Sequence, residues 1–193
     1  MVTPRLITRS IAAASCLALL ALGTDAPSLS VAAPVPGTDA APTEVVSLSS
    51  TTKIATFEKE LLKQINKARS TSQKCGSTTY SAAKPLTWNS KLGYAAEKHS
   101  TEMSKKDFLS HKSANGASPF TRIKSTGYRY SAAGETIAAG YATPKSVVKA
   151  WLKSPSHCKV LMSKKFTQLG LGYFKGDGKY VNYTTADFGK PKK

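Results

Sequence analysis

The sequence predicts an α+β domain. Three observations carry that expectation: helical periodicity in the first half of the body, hydroxyl–proline helix starts further on, and two-residue alternation near the end. Phe57, Leu61, Ile65 and Ala68 recur at helical spacing and predict a helix over about 54–69. Thr51 or Thr52 is available as its N-cap, and Lys59, Lys63 and Lys67 lie on the opposite face. Leu92, Ala96, His99 and Met103 draw a second stripe, which predicts a helix from Asn89 or Ser90 to about Lys106. His99 stands on that stripe, so it is expected packed and hydrogen-bonded inside rather than free as a ligand.

Ser118-Pro119 and Thr143-Pro144 each set a capping hydroxyl before a proline suited to the first helical position. Short helices are expected over 120–125, ended by Gly127, and over 144–153, presenting Val147, Val148, Trp151 and Leu152. The period then changes. Leu169, Leu171 and Tyr173 alternate with glycines, Lys175-Gly176-Asp177-Gly178 supplies a turn, and Tyr180, Asn182 and Thr184 alternate with Val181, Tyr183 and Thr185. This predicts a closing β-hairpin, with 135–139 as a further strand. Helices before and between strands, with an antiparallel hairpin at the end, argue against a doubly wound parallel sheet.

The 193 residues suit one modest domain plus tails. The formal net charge of +17 comes from 28 Lys and Arg against 11 Asp and Glu. Charged residues make up only 20% of the chain, so the imbalance reflects a shortage of acids rather than a polycationic tract, and wholesale disorder is excluded.

Residues 1–33 read as a secretory signal peptide: Arg5 and Arg9, then an apolar run from Ile11 to Gly23, then small residues before a cut after Ala33 or, second, Ala26. Residues 34–52 are rich in proline and small polar side chains and read as a flexible linker; 53–193 is the globular domain. No apolar run in that body is long enough for a membrane span. The protein is therefore expected outside the cell. Beyond Cys16 in the leader, Cys75 and Cys158 remain, 83 positions apart, and an oxidising compartment makes one disulfide the simple reading. A loop of that size is worth roughly 4 to 5 kcal/mol in the chain-entropy model.

Several stretches resemble one family. They are Asn66-Lys-Ala-Arg69, Leu86-Thr-Trp88 with Ala95-Ala96, Ser110-His111, Arg122 before Gly127-Tyr128, Gly134-Glu135-Thr-Ile137-Ala138, Trp151 before Ser154-Pro155-Ser-His157-Cys158, and Gly170-Leu-Gly172 before Asp187-Phe188-Gly189. In this order they are similar to the CAP superfamily (cysteine-rich secretory proteins, antigen 5, pathogenesis-related 1), in its small secreted bacterial branch. The resemblance covers about 54–189 and implies an α-β-α sandwich, a central antiparallel sheet flanked by helices.

The resemblance also implies a cleft. Eukaryotic members carry two histidines and two glutamates there, and the matching positions are His111, Glu135 and His157. The second glutamate has no counterpart: Ser154 stands in its place. Two imidazoles and a carboxylate suit zinc or another divalent ion with an open position for water, so His111, His157 and Glu135 are the candidate metal ligands. The structural alternative makes Glu135 a hydrogen-bond acceptor tying the sheet to the loops. Catalytic residues are not assigned. Ser110 and Ser113 flank His111, but no Gly-x-Ser-x-Gly elbow exists and no sequence pattern identifies an acid to orient a base.

Two functions follow. The first is a non-enzymatic secreted binding module at the envelope or in the medium, its cleft taking a lipid or other small ligand, as the resemblance implies. The second is a secreted metal-assisted hydrolase, a peptidase or phosphodiesterase. Lysines such as Lys98, Lys105, Lys112, Lys145, Lys149 and Lys159 exceed what solubility needs, so an anionic envelope polymer or lipid surface is an expected partner. Nucleic acid is the least favoured, because no motif for it is present in an exported chain.

Overall fold

In the computed structural model, the described residues are 55–193; the predicted signal peptide and linker, and Thr51 and Thr52, lie outside them. The elements run α1 (Thr56–Arg69), β1 (Gln73–Cys75), β2 (Thr78–Tyr80), β3 (Thr87–Trp88), α2 (Ser90–Lys105) and α3 (Pro119–Ser125). They continue with β4 (Tyr130–Ala139), α4 (Pro144–Lys153), α5 (Pro155–Leu161), β5 (Gln168–Lys175) and β6 (Asn182–Pro191). Among the described residues no helix is long and apolar enough to cross a membrane.

The predicted caps explain where three helices begin. Asn89 accepts from the backbone N–H groups of Lys91 and Leu92, Ser118 accepts from Thr121, and Thr143 forms a reciprocal capping box with Ser146. Pro119 and Pro144 follow their caps inside the first helical turn, where a missing N–H costs nothing. Ser154-Pro155 carries the same signature, and the sequence reading passed over it: it starts α5. Also unpredicted is the small β1–β2 hairpin, which turns at Gly76 with φ +66°.

The main sheet has the order β3-β5-β6-β4. β5, β6 and β4 pair antiparallel as expected, whereas the two-residue β3 adds to β5 in parallel, so the sheet is mixed at one edge. Helices α1, α4 and α5 form one layer and α2 with α3 the other, which is the α-β-α sandwich. The larger core lies under the first layer, around Leu61, Ile65, Trp151, Leu161, Leu169 and Phe188; smaller clusters around Leu92, Ile123 and Met103 lie under α2. Cover on both faces explains why β6 is buried continuously from Tyr183 to Gly189, where simple alternation was expected. Val181, with φ +61°, belongs to the turn, so β6 begins at Asn182, two residues later than the alternation from Tyr180 suggested.

Two interactions lock the layers. Cys75 of β1 is bonded to Cys158 of α5 with a Cα–Cα distance of 5.4 Å, so the expected disulfide ties the hairpin to that layer. Arg69, fully buried, donates to the carbonyls of Lys84, Leu161 and Ser163, satisfying loop groups that no strand reaches.

Helix α2 lies directly on β5 because Gly170 and Gly172 lack a Cβ: a methyl at either would fall into the α2 backbone at Leu92–Gly93 or Ala96–Glu97. Gly172→Ala is therefore expected to lower stability by about 3 kcal/mol or more. Urea unfolding midpoints measure it, and a variant as stable as the parent would refute this close packing.

Candidate functional site

The site is built at β4, the edge strand, from five elements. Glu135 is on β4, His111 is in the loop after α2, Arg122 is on α3, His157 is on α5, and Asp187 is on β6 directly opposite Glu135 in the register. Directly opposed residues of an antiparallel pair share one face of the sheet. Here the two carboxyl groups share the face covered by α2, because Gly170, beside Asp187 on its other side, abuts Leu92 and Gly93.

Glu135 is the hub. Its side chain is 2% exposed; Oε1 accepts from His111 Nδ1 at 2.7 Å and Oε2 accepts from the Arg122 guanidinium at 2.5 Å. The other terminal nitrogen of Arg122 donates to the carbonyls of His111 and Ala117 and to the Ser113 hydroxyl. One guanidinium thus fastens the 111–117 loop to α3 and β4 at once. Because an ionised carboxylate only accepts, His111 carries its proton on Nδ1 and turns Nε2 outward. The His111 side chain is 49% exposed, so that nitrogen is reachable.

His157 faces it from the other layer, with ring centres 6.4 Å apart and planes at 64°. Burial, and secondarily the neighbouring His111, push its pKa below the ordinary histidine value, so His157 is neutral at pH 7. The structure thus sets His157 beside His111, which is hydrogen-bonded to Glu135. Ser154 is not part of this contact set: it is the junction of α4 and α5, and its hydroxyl pairs with Ser156 at 3.2 Å.

Sequence reasoning missed Arg122 and Asp187 as site residues, although both stood inside the family-like stretches. Asp187 is fully buried, and neither carboxyl oxygen meets a donor. Burial first, then Glu135 across the strand, raise its pKa well above the ordinary aspartate value, while Arg122 opposes them. That shift favours the neutral carboxyl at Asp187, directly opposite Glu135 in the strand pair. His99 is in the core as expected, with Nε2 donating to the Ser110 carbonyl at 2.8 Å; burial and Arg122 hold it neutral. A cavity of about 480 Å³ opens between α2 and α3 beside Arg122, and neither His111 nor His157 lines it.

Glu135 is not free to complete a metal set with His111 and His157. Both Glu135 oxygens are taken, one of them by a guanidinium that would repel a cation. Among the described residues, no group of three or more His, Cys, Asp or Glu side chains is placed to hold a metal ion.

Comparison with known proteins adds the lineage. A model of the cysteine-rich secretory protein family, CAP, matches residues 62–188. The chain belongs to that family. Protein YkwD of Bacillus subtilis (strain 168) is 37% identical over 125 residues, covering 65% of this chain and 45% of that protein. The membrane protein YlbC of the same strain is 32% identical over 87 residues, covering 45% of this chain and 25% of that protein. The CAP chain thus spans less than half the length of these curated relatives.

Among solved structures, an outer surface protein from Borrelia burgdorferi has a TM-score of 0.58 at 24% identity, covering 72% of this chain and 98% of that one. It shares the CAP fold. An extracellular SCP-domain protein from Bacillus anthracis has a TM-score of 0.50 at 28% identity, covering 56% of this chain and 34% of that one.

The hub gives two tests. Arg122→Met leaves the buried Glu135 carboxylate without its guanidinium partner, with only the His111 hydrogen bond, and should cost about 3 to 5 kcal/mol in denaturant unfolding; a loss under about 1 kcal/mol would show that the guanidinium does not hold the loop.

The second concerns pH. Asp187 keeps its proton to higher pH in the folded than in the unfolded chain, so its contribution is complete below 3.8 and declines as pH rises above that value. His99 and His157, with lowered pKa values, contribute fully above 6.5 and lose stability as pH falls through it. Asp187→Asn keeps an N–H donor toward Glu135 without the titration. It should match or exceed the parent in stability near neutral pH and remove the Asp187 decline, and the difference between the two curves isolates that residue. Parallel curves would mean that Asp187 carries no such proton.

Proposed function

We propose that this CAP protein is a secreted binding module whose His111–His157 cleft receives a small amphipathic ligand, and that it is not an enzyme. The carrying observation is the occupation of Glu135: with both oxygens engaged by Arg122 and His111, the carboxylate positions an imidazole and has no lone role as base or metal ligand. What the cleft offers is an outward Nε2 on His111 opposite a neutral His157, groups that accept a hydrogen bond from a ligand O–H or N–H. Exposed Leu109, two residues before His111, and exposed Phe120, in the first turn of α3, supply apolar surface nearby in the chain. The leader-like N-terminus and the disulfide support an extracellular location, and so does the extracellular relative from Bacillus anthracis.

A second reading rests on the same His111–Glu135 hydrogen bond. A carboxylate that fixes the tautomer of an imidazole also prepares a general base, so a hydrolase in which His111 takes a proton from water is the competing function.

Organic extraction and mass spectrometry of the natively purified protein separate them. A co-purifying amphipathic molecule, depleted in His157→Ala, is the expected result. Turnover of peptide or phosphodiester substrates that is lost in His111→Ala, with no molecule retained, would overturn the binding reading. Zinc titration should give no stoichiometric complex tighter than about 1 μM; one abolished by His111→Ala would reverse the metal conclusion.

A further inference from the structure

A separate surface lies where the end of the chain returns beside the start of β4. Lys124, Arg129, Lys192 and Lys193 line one groove of about 800 Å³ together with Gly127, Tyr128 and Tyr130, and no acidic residue lines it. All four cations are exposed, and none forms an ion pair among the described residues. None belongs to the lysines that the sequence reading singled out. They converge because the fold brings them together: Tyr130 pairs with Pro191 in the sheet, and the Lys192 N–H donates to the Arg129 carbonyl at 3.0 Å, fixing the C-terminal run against the groove.

Four like charges lining one groove repel one another, and no acidic side chain there offsets that cost. A shared anionic ligand does so, and four cations match a ligand that carries several negative groups. We infer that this groove binds a phosphodiester-linked polymer, with Lys124, Arg129, Lys192 and Lys193 contacting successive phosphates.

The two tyrosines decide against nucleic acid. Single-stranded nucleic acids are held by bases stacking on open aromatic faces. Tyr128 is buried and its hydroxyl donates to Gln168; burial pushes its pKa up to about 12, so it adds no opposing charge. Tyr130 lies against Tyr128 with ring centres 6.5 Å apart, and the Lys124 ammonium sits 5.9 Å from its centre. Neither ring offers a base an uncovered platform.

Binding of labelled poly(glycerol phosphate) to the purified protein, followed by anisotropy across a salt series, tests this. Four phosphate contacts predict that log affinity falls against log salt with a slope of about −3. Lys124→Gln with Arg129→Gln should weaken binding about tenfold or more at low salt and make the slope shallower by about 1.4. Lys145→Gln with Lys149→Gln on α4 removes the same charge from exposed positions and should change affinity less than about twofold. Equal weakening by both pairs would reduce the effect to net charge and overturn the groove. A single-stranded DNA of equal charge that binds more tightly than the polymer, or capture by phosphatidylglycerol vesicles without polymer binding, would overturn the choice of ligand.

Discussion

A single buried carboxylate organises this end of the molecule. Glu135 sits 2% exposed on an edge strand with a second acid directly beside it, an arrangement that would be prohibitive without a cation at contact distance. Arg122 supplies that cation, and because its other nitrogen holds the carbonyls of His111 and Ala117, the same contact that makes the acid tolerable also fixes the loop bearing the exposed imidazole. Site geometry and local stability are here one interaction. Burial disfavours charge on Asp187, His99 and His157, which leaves Arg122 and Glu135 as the matched ion pair of the site.

That balance explains why the donor set resembles a metal site in composition without being one in geometry. A divalent ion bound at Glu135 would add two positive charges beside a guanidinium and require Asp187 to give up its proton or Arg122 to withdraw. Withdrawal of Arg122 releases the loop that presents His111. The family-like residues are held together by their hydrogen bonds, with Ser154 in place of a further acid and turned toward Ser156.

Much of the fold was legible because its helices announce themselves locally. Periodic apolar stripes and the caps Asn89, Ser118 and Thr143 are properties of short windows, and they placed α2, α3 and α4 within a residue or two. Elements of two or three residues, β1 to β3, have too few positions to show a period. Strand β6 hid its boundary for another reason: covered on both faces, it has no polar side to alternate with. The α5 start was readable and was missed, since Ser154-Pro155 repeats the signature of Ser118-Pro119. At the site, His111, Glu135 and His157 are 24 and 22 positions apart, so no local rule joins them and family likeness alone brought them into one reading. Arg122 and Asp187 needed the tertiary register. The one available signal was an acid within the otherwise uncharged run Thr184-Thr185-Ala186-Asp187-Phe188, a residue type that is rarely buried without a reason.

The same chain handles charge in opposite ways inside and out. At the buried site, the Arg122 cation is matched to the Glu135 carboxylate at 2.5 Å, while burial disfavours charge on Asp187 and His157 beside it. On the surface, the shortage of acids leaves most lysines without a partner, and at the C-terminal groove the sheet register gathers four such cations in one place. Short-range hydrogen bonds therefore govern what the histidine cleft can recognise, whereas the groove acts through a field that salt screens. Two such sites respond to different variables, the cleft to the protonation of His157 and the groove to ionic strength. A molecule retained by the cleft need not be released when the groove lets go of a polymer, and that independence is what would allow one small domain to carry a ligand while attached to a charged matrix.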